Sequence, residues 1–347
     1  MSHLFYALLF CLLAFTSCQG ESVRSADRCI KNAIVSPKLI SVYDALDKLY
    51  DPDYIFIEVS KLPAYLTGHI PNAIQIWRPD FRTKAKSNYV GMRCSATELS
   101  AFLQNLGVDS NSQLILYDAK GGCDAMRLAW VLDYYGYQSY QVLNGGKAFW
   151  KQNEFPLQTK NVMPKRNPNY TFIPAIDSSY LATKEDVIAA LADEKSIIVD
   201  TRETSEHIGQ CFMDKGKIWA HKEGAFSRGC IPQSVHLPWS DLSDLDKDHR
   251  IKCEKDLRHD LAQRGITAEK KIIVYCQSGS RSSHTAFVLR EILKFPDVQN
   301  YDGSWIEWSY FASVDTTFKT QQLTPQKDFD LTYKSFSNNL NVVNIQK

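Results

Sequence analysis

The chain has 347 residues, of which 44% are hydrophobic, 12% aromatic and 23% charged. This composition excludes a disordered or fibrous protein, and the length predicts two globular domains. The 40 basic and 39 acidic residues almost cancel, so the chain has no broad field that would attract nucleic acid or an acidic membrane surface. An anionic ligand must therefore be bound by a local site.

An apolar run at the N-terminus, residues 4–17, has the length of a secretory signal core rather than that of a membrane span. We interpret residues 1–20 as a signal peptide that takes no part in the fold. The run ends at Cys18 in a pattern similar to a bacterial lipoprotein processing site, so lipidation of Cys18 and simple cleavage nearby are both open. The prediction is an exported protein, either periplasmic or lipid-anchored at the cell envelope, that contacts a membrane only through such an anchor.

Seven cysteines follow Cys18, an odd number that predicts at least one unpaired thiol in an oxidising compartment. Their irregular spacing favours small buried residues for most of them and leaves the disulfide pattern open. No spacing typical of metal ligands occurs.

A duplication organises the rest of the chain, because two stretches repeat the same pattern at an offset of about 160 residues. In the first, apolar strands at 55–59 and 114–118 precede a helical pattern that runs through Trp130. In the second, strands at 196–200 and 271–276 precede a helical pattern that ends at Leu293. Short β-branched runs that alternate with helical patterns predict a parallel sheet covered by helices in each half.

The predicted fold class is thus α/β, with one domain at 36–155 and a second at 179–312. Four prolines mark residues 156–178 as the linker. Residues 313–347 are polar, and we expect them to form a C-terminal extension that wraps the domains or is partly disordered.

The motif that carries chemistry lies at 276–283 and has the sequence CQSGSRSS, between a buried strand and a helical pattern. A strand-to-helix turn at the carboxyl end of a parallel sheet gathers free N–H groups, which bind an anion. Those donors, the helix dipole and the Arg281 guanidinium should lower the pKa of Cys276. We predict that Cys276 is a nucleophilic thiolate. The alternative, a buried thiol that ends a strand, is disfavoured because Gly, Ser and Arg pack poorly in a core.

The equivalent turn of the first half begins with Asp118, and Cys123 falls opposite Arg281. A carboxylate cannot attack sulfur, so the first half is predicted to be inactive. We interpret Cys123 as a packing or loop residue. The first half would then support the second and form one wall of the cleft between them.

Over residues 36–312 the sequence resembles the tandem rhodanese-like sulfurtransferases. GHIPNA (68–73) and GCIPQS (229–234) resemble a family Gly-His-Ile-Pro element, LNGG (143–146) and YDGSW (301–305) its closing turns, and YCQSGSRSSHTAFV (275–288) its active-site loop and helix. The resemblance implies two rhodanese-like domains, each a parallel sheet flanked by helices. It further implies an inactive N-terminal domain and a C-terminal domain whose cysteine, here Cys276, carries a persulfide.

The substrate-binding residues that follow from the loop and the resemblance are Gln277, Ser278, Gly279, Ser280, Arg281, Ser282 and Arg202. Arg202 matches a family arginine that usually braces the loop. Ser278 could join Glu58 and His69 in a proton relay similar to that of the mercaptopyruvate enzymes. For His69 the alternative is a structural histidine at the family turn.

The predicted reaction moves the outer sulfur of thiosulfate to cyanide or a thiol through the Cys276 persulfide, in a monomer whose partners are these small molecules. This reaction requires neither a metal nor an organic cofactor. 3-Mercaptopyruvate is the alternative donor, disfavoured because Glu206 stands where those enzymes have a carboxylate-binding arginine. A non-catalytic module that carries persulfide or binds a partner is a further alternative. A cysteine phosphatase is disfavoured, because its loop has one more residue between cysteine and arginine.

Overall fold

A computed structural model describes residues 36–323 apart from residues 86, 120, 215, 216 and 220, and for 212–214 and 217–219 it describes the backbone. The predicted signal peptide with Cys18, and the extension beyond residue 323, lie outside the described residues. In the part that the structure describes, no helix is long and apolar enough to cross a bilayer.

The first domain is built on five parallel strands in the order β1-β5-β4-β2-β3. The strands are β1 (Leu39–Ile40), β2 (Tyr54–Val59), β3 (Ile74–Ile76), β4 (Gln113–Tyr117) and β5 (Tyr140–Leu143). The helices are α1 (Val42–Asp47), α2 (Leu62–Leu66), α3 (Ala96–Leu106), α4 (Cys123–Tyr134) and α5 (Gly146–Gln152). A 3-10 turn, Arg78–Phe81, follows β3.

The second domain has five parallel strands in the order β10-β7-β11-β12-β6. Its strands are β6 (Leu181–Ala182), β7 (Ser196–Asp200), β10 (Val235–His236), β11 (Lys271–Tyr275) and β12 (Val298–Tyr301). Its helices are α6 (Lys184–Ala190), α7 (Thr204–His207), α8 (Glu254–Gln263), α9 (Ser280–Phe287) and α10 (Ser304–Val314). Between α7 and β10 an antiparallel hairpin of β8 (Phe212–Asp214) and β9 (Lys217–Trp219) is inserted.

The predicted α/β duplication is confirmed, because the strands of the two sheets correspond one to one in order and direction. A finer feature repeats as well. The Tyr117 hydroxyl accepts a hydrogen bond from the Ile70 N–H at 3.1 Å, and the Tyr275 hydroxyl accepts one from the Ile231 N–H at 3.1 Å. In each domain the tyrosine at the end of the central strand therefore holds the corresponding turn, 68–73 or 229–234, against its own sheet.

The six cysteines of the described residues form no disulfide: four are buried and two are half-buried. The buried ones are Cys94, Cys123, Cys230 and Cys276, and the half-buried ones are Cys211 and Cys253. The prediction that most cysteines are small buried residues is confirmed for this part of the chain.

Helices α4 and α9 pack against each other between the domains. Each begins after a glycine with left-handed backbone, Gly122 at φ 82° and Gly279 at φ 81°. Residues with a side chain are strained in this conformation, so glycine allows the chain to turn sharply from the sheet into the helix. The packing brings the turn before each helix towards the other domain.

A buried ion pair fastens this contact. The Arg127 guanidinium lies 2.5 Å from an Asp302 carboxylate oxygen, and both side chains are fully buried. Arg93 donates to the other carboxylate oxygen at 3.0 Å. Burial by itself raises the pKa of Asp302, but the charges of Arg127 and Arg93 outweigh burial and lower it. Asp302 is therefore held as a carboxylate between two cations of the first domain.

We expect Arg127→Met to lower the free energy of unfolding by about 3–5 kcal/mol, because it leaves the buried Asp302 carboxylate with only one cation. The midpoint of urea denaturation measures the loss. Arg264→Met is the control, since Arg264 and Asp241 form a 3.2 Å ion pair that is 35% and 41% exposed. That variant should lose less than about 1 kcal/mol. Equal losses in the two variants would contradict the importance of the buried pair.

Candidate active site

Cys276 lies at the carboxyl end of the central strand β11 and is 1% exposed. Its N–H donates to the Ser304 hydroxyl at 3.1 Å, and its carbonyl accepts from the Trp305 N–H at 3.0 Å. The start of α10 therefore fixes the cysteine backbone on one side while β11 fixes it on the other. The sulfur projects from a rigid position into the turn before α9.

Polar groups of the turn lie near this sulfur and lower its pKa. They are the N–H groups of Ser278 and Ser282 and the Ser282 hydroxyl, which we call the donor nest. The Ser282 hydroxyl is buried and has no hydrogen-bond partner among the described residues, so it acts on the sulfur through its proximity. Burial raises the pKa of Cys276, but the charge of Arg281 and the donor nest outweigh burial and hold the pKa below that of an ordinary thiol. The site therefore favours the thiolate form more strongly than an ordinary cysteine environment does.

Asp118 holds the equivalent position in the first domain. Its Oδ1 accepts from the Gly122 N–H at 3.0 Å, and its Oδ2 accepts from the Asp124 N–H at 2.8 Å. Burial, together with the charge of Asp124, raises the pKa of Asp118 to about 7 in spite of these hydrogen bonds. The first domain thus places a carboxyl group where the second domain places the Cys276 sulfur.

Arg281 is paired with a carboxylate of its own domain. Its guanidinium donates to the two oxygens of Glu206 at 2.5 and 2.9 Å, and both side chains are 12% exposed. Burial raises the pKa of Glu206, but Arg281 outweighs this effect and lowers it. Glu206, which stands where the mercaptopyruvate enzymes have a carboxylate-binding arginine, is therefore paired and does not present an uncompensated negative charge to a donor. The charge of Arg281 still acts on Cys276, but the Glu206 carboxylate already binds the guanidinium N–H groups.

Arg202 lies behind the loop. Its guanidinium binds both oxygens of Asp200, donates to the Gly229 carbonyl at 2.8 Å and lies 4.6 Å from the centre of the Trp305 ring. The residue is only 1% exposed. Because Trp305 binds the Cys276 carbonyl, this position suits a brace for the loop. Its burial and its internal partners favour the bracing role over direct binding, and its place among the substrate-binding residues stays a prediction.

Glu58, the first member of the expected relay, is buried in the first domain at the end of β2. Its Oε1 accepts from the Ser60 hydroxyl at 2.8 Å and from the Lys147 ammonium at 2.6 Å. Lys147 belongs to α5 of the same domain. The Lys147 ammonium therefore balances the charge of the Glu58 carboxylate inside the first domain, which is typical of a structural ion pair.

His69 is likewise held inside the first domain. Its Nδ1 lies 3.0 Å from the Tyr65 carbonyl and its Nε2 lies 3.1 Å from the Gln158 amide nitrogen. The imidazole also stacks on the Tyr65 ring at 3.6 Å, and the residue is fully buried. Both ring nitrogens have partners, and neither partner belongs to the Cys276 loop. Among the described residues no hydrogen bond links Ser278, His69 and Glu58, so the geometry favours the structural alternative for His69, and the relay stays a prediction.

The other loop residues pack against two segments. The Gln277 amide donates to the Glu223 carbonyl at 3.3 Å. A Cβ built on Gly91 would lie 2.9 Å from the Ser278 Cβ, so the Gly91 backbone of the first domain closes on the loop. The Ser280 hydroxyl is buried and has no hydrogen-bond partner among the described residues. The roles of Gln277, Ser278, Gly279 and Ser280 in substrate binding stay predictions.

Sequence reasoning missed two arginines of the first domain, Arg78 and Arg82. Burial lowers the pKa of both. The pKa of Arg78 is raised overall, mainly by Asp124, and that of Arg82 is lowered overall, while a charge on the Cys276 sulfur raises each of them slightly, which places both near Cys276. The available signal was the pair of arginines in WRPDFR, directly after the edge strand β3. These arginines thus follow the carboxyl end of a parallel strand, which is the side of the sheet at which α/β folds bind ligands. Among the described residues, no group of three or more His, Cys, Asp or Glu side chains is arranged to hold a metal ion.

Comparisons with known proteins agree with the geometry. A sulfur carrier protein, TtuD, of Thermus thermophilus is 32% identical over 281 residues, which cover 80% of this chain and 95% of that protein. A protein of Mycolicibacterium smegmatis that is provisionally named thiosulfate sulfurtransferase is 32% identical over 277 residues, with 79% and 95% covered.

Among solved structures, wild-type EanB has the same fold, with a TM-score of 0.69 at 22% identity over 83% of this chain and 70% of that one. The anaerobic ergothioneine biosynthesis enzyme from Chlorobium limicola, bound to trimethyl histidine, has a TM-score of 0.68 at 23% identity, with 83% and 71% covered. The family model described as Rhodanese-like domain matches residues 41–153 and again residues 183–310. The chain belongs to the rhodanese-like family and contains two rhodanese-like domains.

Proposed function

We propose that this protein is a sulfurtransferase that moves sulfane sulfur from thiosulfate to cyanide or a thiol through a persulfide on Cys276. The observation that carries the proposal is the donor nest around the buried Cys276 sulfur at the carboxyl end of β11. Relatives named as a sulfur carrier and, provisionally, as thiosulfate sulfurtransferases support it.

In the first step the Cys276 thiolate attacks the outer sulfur of thiosulfate. The sulfur–sulfur bond of thiosulfate breaks, and sulfite leaves with the bonding electrons. The outer sulfur becomes the terminal, negatively charged sulfur of a persulfide. In the second step cyanide or a thiolate attacks that terminal sulfur, and the Cys276 thiolate leaves. No external oxidant or reductant takes part in either step.

The donor nest suits both steps, because its N–H groups are fixed before the reaction and favour a negative charge on sulfur. The geometry also favours thiosulfate over 3-mercaptopyruvate. Sulfite leaves as an anion without a proton, whereas 3-mercaptopyruvate would leave as the enolate of pyruvate, which must be protonated on carbon. Glu58 and His69, the expected relay, are held in the first domain by other partners.

A persulfide carrier is the second candidate, favoured by the relative named a sulfur carrier protein. A carrier would form the same persulfide and release sulfur only to a partner protein. Rapid formation of thiocyanate from free thiosulfate and cyanide distinguishes the enzyme from the carrier. Export, a lipid anchor at Cys18 and the monomeric state stay predictions.

Cys276→Ser should reduce thiocyanate formation by at least about a thousandfold, the scale expected when a nucleophile is removed. The fold should persist, because the hydroxyl is no larger than the thiol. Mass spectrometry of the native chain treated with thiosulfate should show one added sulfur atom on Cys276. Cys123→Ser is the control and should change the rate by no more than a few-fold. A large loss in that variant, without unfolding, would mean that the active cysteine is misassigned.

Alkylation of Cys276 by iodoacetamide should become faster as the pH rises through a pKa below that of an ordinary thiol, because only the thiolate reacts. Ser282→Ala should move the profile to higher pH, since the variant loses a donor to the thiolate. Ser280→Ala is the matched control, because the Ser280 hydroxyl lies in the same turn but is not among the main groups that lower the pKa of Cys276. Identical profiles for the native chain and Ser282→Ala would show that the Ser282 hydroxyl does not stabilise the thiolate.

Thiosulfate should be the better donor, with a kcat/KM roughly a hundredfold higher than that of 3-mercaptopyruvate, because general acid catalysis contributes on that scale and Glu58 and His69 are bound by other partners in the first domain. Steady-state rates with cyanide as the common acceptor measure the ratio. A native preference for 3-mercaptopyruvate would overturn the choice of thiosulfate and leave the Cys276 persulfide in place.

A further inference from the structure

The cations around Cys276 differ in whether a carboxylate already binds them. Three arginines near the cysteine or its loop form ion pairs within the protein. The pairs are Arg281–Glu206 at 2.5 Å, Arg127–Asp302 at 2.5 Å and Arg78–Asp124 at 2.5 Å. Arg82 differs from them, because its guanidinium has no ion pair and no hydrogen bond within the described residues. Its Nε is nevertheless buried.

The backbone positions Arg82 beside the Cys276 loop. Arg82 pairs with Arg93 through an isolated antiparallel bridge, and the neighbouring Thr83 N–H donates to the Met92 carbonyl at 3.1 Å. Gly91, which directly precedes Met92, is the residue whose backbone lies against Ser278. The two bridged segments, 82–83 and 91–93, therefore place Arg82 between the edge of the first sheet and the Cys276 loop of the second domain.

No carboxylate forms an ion pair with Arg82 among the described residues. Burial, together with the charges of Arg127 and Arg78, lowers the pKa of Arg82 to about 10, although Asp124 and Cys276 act in the opposite direction. A half-buried guanidinium without a partner is unfavourable unless an anion compensates it. Arg82 also borders an open cavity of about 320 Å³ beside β3, whose lining includes Asp80 and Glu98 and belongs to the first domain and the linker, so this cavity is separate from the Cys276 loop.

Thiosulfate brings two negative charges to a thiolate, and like charges repel in a site shielded from water. Arg281 offsets this repulsion only in part, because Glu206 lies against it. A further cation on the opposite side of the cleft would hold the oxyanion end of the donor while its outer sulfur reaches Cys276. The planar fork of a guanidinium matches two oxygens of such a group.

We infer that Arg82 of the first domain binds the oxyanion group of the sulfur donor opposite the Cys276 loop. This inference rests on the proposed function and names the residue that selects anionic donors. It gives the domain without a reactive cysteine a direct part in substrate recognition.

The first test is kinetic. Arg82→Gln should lower kcat/KM for thiosulfate by about ten- to a hundredfold, mainly through KM, which is the range for loss of a hydrogen-bonded charged contact. Arg82→Lys should recover part of the loss, because it restores the charge without the fork. Arg166→Gln is the matched control, as Arg166 is exposed in the linker and should leave the rate unchanged. Native kcat/KM in Arg82→Gln would overturn the inference.

The second test does not depend on sulfur transfer. Alkylation of Cys276 by anionic iodoacetate and by neutral iodoacetamide, followed by peptide mass spectrometry, gives a rate ratio that reports the local positive charge. Arg82→Gln should lower this ratio several-fold relative to the native chain, Arg82→Lys should lower it less, and Arg166→Gln should leave it unchanged. Because each rate is divided by that of the neutral reagent, a general change in thiol exposure cancels.

The two tests separate the two proposals. A native chain without thiosulfate turnover would reject the proposed function, while a ratio that falls in Arg82→Gln would still support anion binding at Arg82. Conversely, thiosulfate turnover together with an unchanged ratio in Arg82→Gln would reject Arg82 as the anion-binding residue and leave the Cys276 chemistry standing. Circular dichroism checks that each variant is folded, and Arg82→Lys keeps the ratio test available if Arg82→Gln unfolds.

Discussion

The rest of this structure depends on one constraint, which is that the free N–H groups at the start of a helix need an acceptor when the helix begins inside the protein. Both domains meet this need at the turn that leads from the central strand into the interdomain helix. In the first domain the Asp118 carboxyl group accepts the hydrogen bonds of Gly122 and Asp124. In the second domain the Cys276 sulfur is surrounded by N–H groups of Ser278 and Ser282. A single difference in side chain thus makes one turn structural and the other suited to nucleophilic chemistry.

The same geometry explains why the two domains act as one unit. Since α4 and α9 pack against each other, the turn before each helix lies near the opposite domain. The buried pair of Arg127 and Asp302 secures this arrangement beside the active loop, where Arg127 also lies 3.4 Å from the Gly279 carbonyl. The first domain therefore supports the loop, closes on it at Gly91 and carries Arg82 to it.

Charge pairing decides what each arginine can do. Arg202 is fully engaged by Asp200 and Gly229, so it stiffens the loop from behind. Arg281 acts on the thiolate through its charge while Glu206 occupies its N–H groups. An arginine beside a reactive cysteine can therefore set a pKa without being the residue that binds the substrate.

The sequence by itself determined the duplicated α/β fold and the position of Cys276 at a strand-to-helix turn, because these follow from local patterns of buried strands, glycine and helix starts. It also indicated why the turn that begins with Asp118 cannot perform the same chemistry. Only the tertiary structure decided that Arg281 meets Glu206, that Arg202 is buried, that Glu58 and His69 stay within the first domain, and that Arg82 approaches the second. The reason is physical: contacts between residues far apart in the chain depend on how the helices and loops of each domain pack, and for Arg82 on how the two domains pack, and neither periodicity nor turn chemistry specifies that packing.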